Sequence, residues 1–254
     1  MLDNKVLMSG NQMALYIPPP PIVPKGSLVN LDLDGNGNKQ YRVIKCNGNV
    51  AQVMAMYDTL TSEWNADTSK TTTMGTLTVA KYDGSDIDIY LNTTWYNTLT
   101  STTKAAIVPE NVVCDAWYWG STGDPDYTGT YGTDVPGTSN YTISKYAGGT
   151  LNIGNRNVFA LGLQDVIDYL NDSSVQVDTT AILRNVNIWK MFWNDEVSHS
   201  SKYLWLRSSR AGNSSSAWYV YGFRGRLGYD YVDYSCVVRP ALNLNLNQIE
   251  FSIV

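Results

Sequence analysis

Tyr203-Leu204-Trp205-Leu206-Arg207-Ser208-Ser209 and, about 30 residues further on, Val237-Val238-Arg239-Pro240-Ala241-Leu242-Asn243-Leu244 are the stretches on which the fold turns. They belong to a last quarter that, from Tyr203 on, reads as short strands separated by turns. Arg207 and Arg239 are parts of these two motifs, so structural roles are expected for both. Between the motifs lies Ala217-Trp218-Tyr219-Val220-Tyr221-Gly222-Phe223-Arg224-Gly225-Arg226-Leu227-Gly228-Tyr229-Asp230-Tyr231-Val232-Asp233-Tyr234-Ser235-Cys236. Trp218, Val220, Leu227 and Val232 read as its buried framework.

The rest of that stretch is Tyr, Phe, Arg, Asp, Gly and Ser, the vocabulary of a paratope. Tyrosine offers a large amphipathic contact area at low entropic cost, and arginine adds stacking and charged hydrogen bonds. The candidate ligand-binding aromatics are Tyr219, Tyr221, Phe223, Tyr229, Tyr231 and Tyr234. The candidate polar contacts are Arg210, Asn213, Ser215, Arg224, Arg226, Asp230 and Asp233. A plainer alternative stays open: Tyr219, Tyr221, Tyr229 and Tyr231 alternate and fit half-buried cross-strand pairs, with the arginines solvated and the aspartates in turns.

Upstream, Val29–Leu33, Tyr41–Cys46 and Val50–Met56, separated by Asp34-Gly35-Asn36-Gly37 and Asn47-Gly48-Asn49, predict a three-stranded meander. Asp32, Asp34 and Asn36 have the spacing that starts a calcium loop, but position 12 of such a loop is Val43, so turn chemistry explains them. Ile87, Ile89, Tyr90, Leu91, Trp95, Tyr96 and Leu99 recur at helical spacing, and Thr100 or Ser101 can cap a second short helix through Ala105 and Ala106. Residues 115–152, with Asp124-Pro125-Asp126 and repeated turn signals, read as a long surface excursion. Further helices are expected over Leu163–Leu170, stopped by Asn171, and from about Ala181 to Phe192. The class these elements predict is α+β, with strands at both ends and helices between them.

The paired motifs resemble an uncharacterised domain family of gut-type bacteria and their phages. That family is similar to the C-type-lectin-like fold of formylglycine-generating enzymes and of retroelement-diversified variable proteins. Tyr41-Arg42-Val43 looks like its early strand, Tyr90-Leu91-Asn92 with Trp95-Tyr96 like its first helix, and Val158-Phe159-Ala160-Leu161 before Gln164-Asp165-Val166 like the step before the terminal module. The resemblance covers nearly all of 28–247; Ser209 stands where many relatives have proline, and 115–152 is longer than usual. It implies a C-type-lectin-like fold, a ligand-binding domain at 28–254 and a variable region at about 207–236. It also implies a metal-free adhesin of a virion tail or fibre, made in a host cytoplasm, that binds a host cell-surface protein or glycan. A bacterial protein, cytoplasmic or reaching the surface by a non-classical route, is the alternative location. Trimerisation is the oligomeric state such a fibre-tip role implies. In variable proteins of this kind adenines are randomised, mostly in AAC or AAT codons, which never yield Lys, Glu, Gln, Met or Trp. Residues 219–236 contain none of these five. A static interaction module with the same fold and no diversification is the competing reading.

Composition fits a binding protein. Of the 254 residues 43% are hydrophobic, enough for a core, while only 16% are charged. The 18 Tyr and 8 Trp against 4 Phe favour side chains with a polar handle. A net charge of −5 gives no basic footprint for nucleic acid or for a polybasic membrane contact. Nor is there an apolar run of the roughly 18 residues that bilayer insertion needs. Residues 1–27, with Pro18-Pro19-Pro20-Pro21, read as an attachment or linker segment, with an extended strand lying on the domain as the alternative. Cys46, Cys114 and Cys236 show neither disulfide nor zinc spacing. The only histidine, His199, has no nucleophile elbow to serve, and Asp83, Asp86 and Asp88 suit a turn and a helix start. An enzyme is therefore not expected, and neither is a cofactor.

Overall fold

The computed structural model describes residues 6–9, 12–15, 23–120, 131–135, 142–170, 186–193, 202–222 and 226–254. The first two strands, β1 (Val6–Ser9) and β2 (Gln12–Leu15), pair as a separate antiparallel ribbon. The expected meander follows as β3 (Leu28–Leu31), β4 (Lys39–Asn47) and β5 (Val50–Ala55). Asp34 serves the turn between β3 and β4: its Oδ1 accepts from the Asn36 N–H at 3.2 Å. Gly48, at φ 59°, supplies the left-handed residue of the two-residue turn between β4 and β5. Two late strands, β16 (Ala241–Asn245) and β17 (Ser252–Ile253), complete a five-stranded sheet in the order β16-β5-β4-β3-β17. Of the expected attachment segment, Pro18–Pro21 lie outside the described residues. Its end is fastened to the body: Val23 is buried, Gly26 N–H donates to Val43 O and Lys25 Nζ to Asp168 O.

Next come β6 (Leu60–Glu63), the hairpin β7 (Thr71–Met74) and β8 (Leu77–Ala80), and then the helical stretch. That stretch is a chain of short pieces: α1 (Asp86–Ile89), a π-helical segment Tyr90–Trp95, α2 (Tyr96–Thr98) and α3 (Ser101–Ala106). Ser85 caps α1 and Thr100 caps α3, each through its side-chain oxygen. In its described residues the predicted surface excursion is strand. β9 (Glu110–Gly120) and the 15-residue β11 (Thr142–Arg156) pair over most of their length, with β10 (Tyr131–Val135) on β11's outer side. Cys114, Asp115, Ala116, Trp117 and Ile143 are buried there, whereas Asp124-Pro125-Asp126 lie outside the described residues.

Helix α4 (Leu163–Leu170) falls where the sequence placed it, and α5 (Val186–Phe192) covers the described part of the next expected helix, 181–185 being outside. The chain then forms β12 (Tyr203–Arg210), β13 (Ser216–Tyr221), β14 (Arg226–Tyr231) and β15 (Ser235–Val238). The large sheet runs β10-β11-β9-β12-β13-β14, with β15 pairing both β12 and β6. The expected α+β class, a C-type-lectin-like arrangement of terminal strands with helices between, is therefore corrected. The protein is mostly β, 48% strand against 18% helix, and the region assigned to helices holds the longest strands of the main sheet. Among the described residues the helices are short, none longer than the eight residues of α4.

Both motif arginines sit at crossings between these layers. Arg207 Nη1 donates to Ala160 O at 2.8 Å and Asp165 Oδ2 at 2.5 Å, and its Nε donates to Val113 O at 3.2 Å. Burial opposes its charge, but Asp165 and Asp115 hold the guanidinium protonated. A side chain at Gly162 would press on Arg207 Cζ at 3.0 Å, so the arginine lies directly on that backbone. Ser208 Oγ donates to Asp115 and accepts the Leu163 N–H at 2.7 Å at the start of α4. Ser209 Oγ donates to Ala80 O at 2.7 Å. Arg239 spans the passage from β15 to β16: it donates to Asp58 Oδ1 through Nε (3.1 Å) and Nη2 (2.9 Å) and to Phe192 O, and it lies over the Trp193 ring.

Candidate ligand-binding face

Strands β12, β13 and β14 form an antiparallel meander whose register decides where each candidate residue points. Trp218↔Tyr229 and Val220↔Leu227 share one face; Tyr219↔Gly228, Tyr221↔Arg226 and Ala217↔Asp230 share the other. Trp218, Val220 and Leu227 are fully buried on the first face, as the sequence required, and Val232 is buried beyond the end of β14. The second face continues onto β12, where Tyr203 opposes Tyr221 and Trp205 opposes Tyr219.

This second face carries an ordered group of aromatic rings. Tyr203 and Tyr221 stack with centroids 4.4 Å apart and planes 8° from parallel, and Tyr219 meets Tyr203 edge-on at 5.0 Å. Burial pushes the Tyr203 phenol above its ordinary pKa, and the hydrogen bond and charge of Tyr221 add to that. Tyr219 lies across Gly228: a Cβ there would come within 2.7 Å of its Cζ and hydroxyl. Gly228 is the slot that lets this ring lie down on the sheet. Trp205 is the buried floor beside it, its Nε1 donating to Ser62 O at 3.1 Å. Tyr203 is 37% exposed, and Tyr219, Tyr221 and Asp230 are half-buried.

The thirteen candidate residues therefore do not form one continuous surface. Tyr219, Tyr221 and Asp230 belong to the aromatic face, with Arg226 placed on it by register. Tyr229 is on the opposite face, edge-on to Trp218 at 6.1 Å, and the Arg210 guanidinium lies 3.9 Å over its ring. Asn213 and Ser215 make the turn between β12 and β13, where Asn213 Oδ1 accepts from Ser215 N–H (2.9 Å) and Oγ (3.1 Å). Tyr231 and Tyr234 form a protruding pair at the next turn, 53% and 55% exposed with rings 6.2 Å apart, and Asp233 is exposed between them. Phe223 and Arg224 lie outside the described residues, as does His199. Sequence reasoning missed Tyr203 and Gly228, because partnership across β12 and a ring over a glycine depend on register.

The remaining reactive groups have structural work. Burial, with the Asp230 charge adding, pushes the Cys236 thiol up to about 12, so it stays protonated and inert at neutral pH. Burial pushes Cys114 to the same value. Arg156 clamps Asp88 and Asp83, with Nη2 donating to Asp83 Oδ1 at 2.6 Å, while Asp86 accepts the Ala66 N–H at 2.7 Å and Lys70 Nζ at 2.9 Å. Among the described residues no group of three His, Cys, Asp or Glu side chains is arranged to hold a metal, and no helix is long and apolar enough to cross a membrane.

Residues 59–246, from just before β6 to just past β16, match the family described as a domain of unknown function, DUF6273. The match covers well over half of the chain, so the protein belongs to this family. It takes in both motif arginines and the whole aromatic face, beginning one residue after Asp58. Neither a curated protein nor a solved structure matches the chain.

Proposed function

We propose that this protein is a ligand-binding protein, acting as a retroelement-diversified adhesin of a phage tail or fibre, whose partner is a host cell-surface protein or glycan. The observation that supports this most strongly is the Tyr203–Tyr219–Tyr221 group beside Asp230, half-exposed on a sheet whose other side buries Trp218, Val220 and Leu227. Such a surface desolvates a partner through tyrosine rings, with the Asp230 carboxylate and the Arg226 position at its margin to set complementarity. Contact of this kind uses no metal or cofactor.

One observation favours the second reading, a static interaction module. The Tyr203 ring packs on both Tyr219 and Tyr221, and Tyr219 lies on Gly228, so part of the face is a fixed unit. The two readings share a direct test. Fluorescently labelled full-length protein is offered to a panel of gut bacterial isolates and binding is read by flow cytometry. Replacing Tyr221 and Asp230 together with Ala is expected to abolish labelling of any isolate that the parent protein labels. Undiminished labelling by that variant would remove the aromatic face from the account.

A further inference from the structure

Five arginines have described side chains, and four of them meet an acceptor. Arg156 is paired with Asp83 and Asp88, Arg207 with Asp165 and Arg239 with Asp58, while Arg42 Nη1 donates to Gly26 O at 2.7 Å. Arg210, the last residue of β12, is the exception. Among the described residues its side chain meets neither a carboxylate nor a carbonyl, and its guanidinium lies 3.9 Å over the Tyr229 ring. Its Nε is buried without an acceptor, whereas neither Nη nitrogen is closed off in this way. A half-buried cation with no acceptor has lost part of its hydration and gained only a ring contact in return. The surroundings hold this pair in place. Ala211 N–H donates to Trp117 O at 2.9 Å, Trp218 Nε1 donates to the same carbonyl at 3.2 Å, and Tyr229 stands edge-on to Trp218.

From this arrangement we infer that Arg210, seated on Tyr229, is a subsite for a carboxylate of the bound partner. Stacking occupies the flat face of a guanidinium and leaves its edge donors for an anion. With Nε enclosed, the remaining edge is Nη1 and Nη2, which matches the two oxygens of one carboxylate end-on. A single guanidinium on a chain of net charge −5 suits one negative charge, which favours a carboxylate over a phosphate dianion or a polyanion. Lys145, over the Trp117 ring, is already engaged by Asp115 (3.7 Å) and Gln164 (3.1 Å) and adds no second cation. Seating the guanidinium on the ring beforehand removes much of the ordering cost that a solvated arginine meets on binding. Arg210 and Tyr229 lie on the other side of the meander from the Tyr203–Tyr219–Tyr221 group. The inference therefore goes beyond the aromatic face and does not depend on it.

Saturation-transfer NMR of the full chain with two carboxylate probes tests the inference. One probe is the methyl α-glycoside of N-acetylneuraminic acid, and the other is N-acetylglutamate α-amide. Each is expected to bind with a Kd of about 1–10 mM, the range of a single charged contact. The methyl ester of the sugar probe carries no charge and is expected to bind on the order of tenfold more weakly or worse. R210Q is expected to weaken both probes by the same order, about tenfold or more. R210K keeps a cation over the ring without the fork, so a loss of about threefold or more is expected even if R210Q fails to fold. Binding of the sugar probe alone assigns the carboxylate to an acidic glycan, and binding of the glutamate probe alone assigns it to an acidic protein; either upholds the subsite. Failure of both probes overturns the inference, as does equal binding of the ester or undiminished binding by R210Q or R210K. Cell labelling that depends on Tyr221 and Asp230 reads other side chains, so either reading can fail while the other stands.

Discussion

Tyr229 and Tyr231 are two positions apart and point to the same side of β14, yet packing gives them different work. Tyr229 is held between Trp218 and the Arg210 guanidinium, whereas Tyr231 projects with Tyr234 into solvent. Tyr229→Ala is expected to lower the stability in urea unfolding by roughly 1–3 kcal/mol, and Tyr231→Ala with Tyr234→Ala by no more than about 0.5 kcal/mol each. Equal losses at all three positions would contradict the placement. Gly228→Ala is the sharper residue-level test. The added methyl must displace the Tyr219 ring, so a loss of about 1–3 kcal/mol and a changed near-ultraviolet circular dichroism signal are expected. An unchanged spectrum would mean that the ring does not lie over this glycine.

The crossings between the sheets are fixed by buried arginines at the element scale. Removing one partner of the Arg207–Asp165 pair leaves a buried charge uncompensated, so Arg207→Ala should cost about 3–5 kcal/mol, read from the urea midpoint. Asp58 joins Arg239 and Lys202 at the second crossing. Burial opposes its ionisation, but hydrogen bonds and charge from Lys202 and Arg239 outweigh that and hold its pKa below the ordinary carboxylate value. A depressed folded-state pKa stabilises the protein above the unfolded value, near pH 4, and this contribution is lost as the pH falls through the folded-state value. Asp58→Asn should therefore flatten the acid side of the stability profile relative to the parent. A profile of unchanged slope would remove Asp58 from the crossing. The Trp-Leu-Arg-Ser and Val-Arg-Pro-Ala-Leu stretches were readable as motifs with structural arginines, and the crossings supply the reason: each buried guanidinium meets a partly buried carboxylate. The ribbon β9–β11 was not readable, because its Thr, Gly, Tyr and Asp residues are also those of turns. Only the pairing of Leu151 with Cys114 and Ile143 with Trp119 makes strands of it.

For the whole molecule, two sheets share one core, and the main sheet ends in the meander that carries the aromatic face. The sequence marked the chemistry of that meander and its buried framework, Trp218, Val220, Leu227 and Val232. It did not show that register divides the candidate residues between two sides and a turn, since alternation along one strand says nothing about its neighbours. Diversification is the claim on which the functional account depends most. Its most direct test is sequencing of the 3′ end of the gene across a natural population, together with the flanking DNA. The account predicts substitutions at adenines concentrated at Tyr221, Asp230, Tyr231, Asp233 and Tyr234, constant codons at Trp218, Val220, Leu227, Gly228 and Val232, and a reverse-transcriptase gene nearby. A uniform sequence with no template copy beside it would contradict diversification and leave a static binding module in its place.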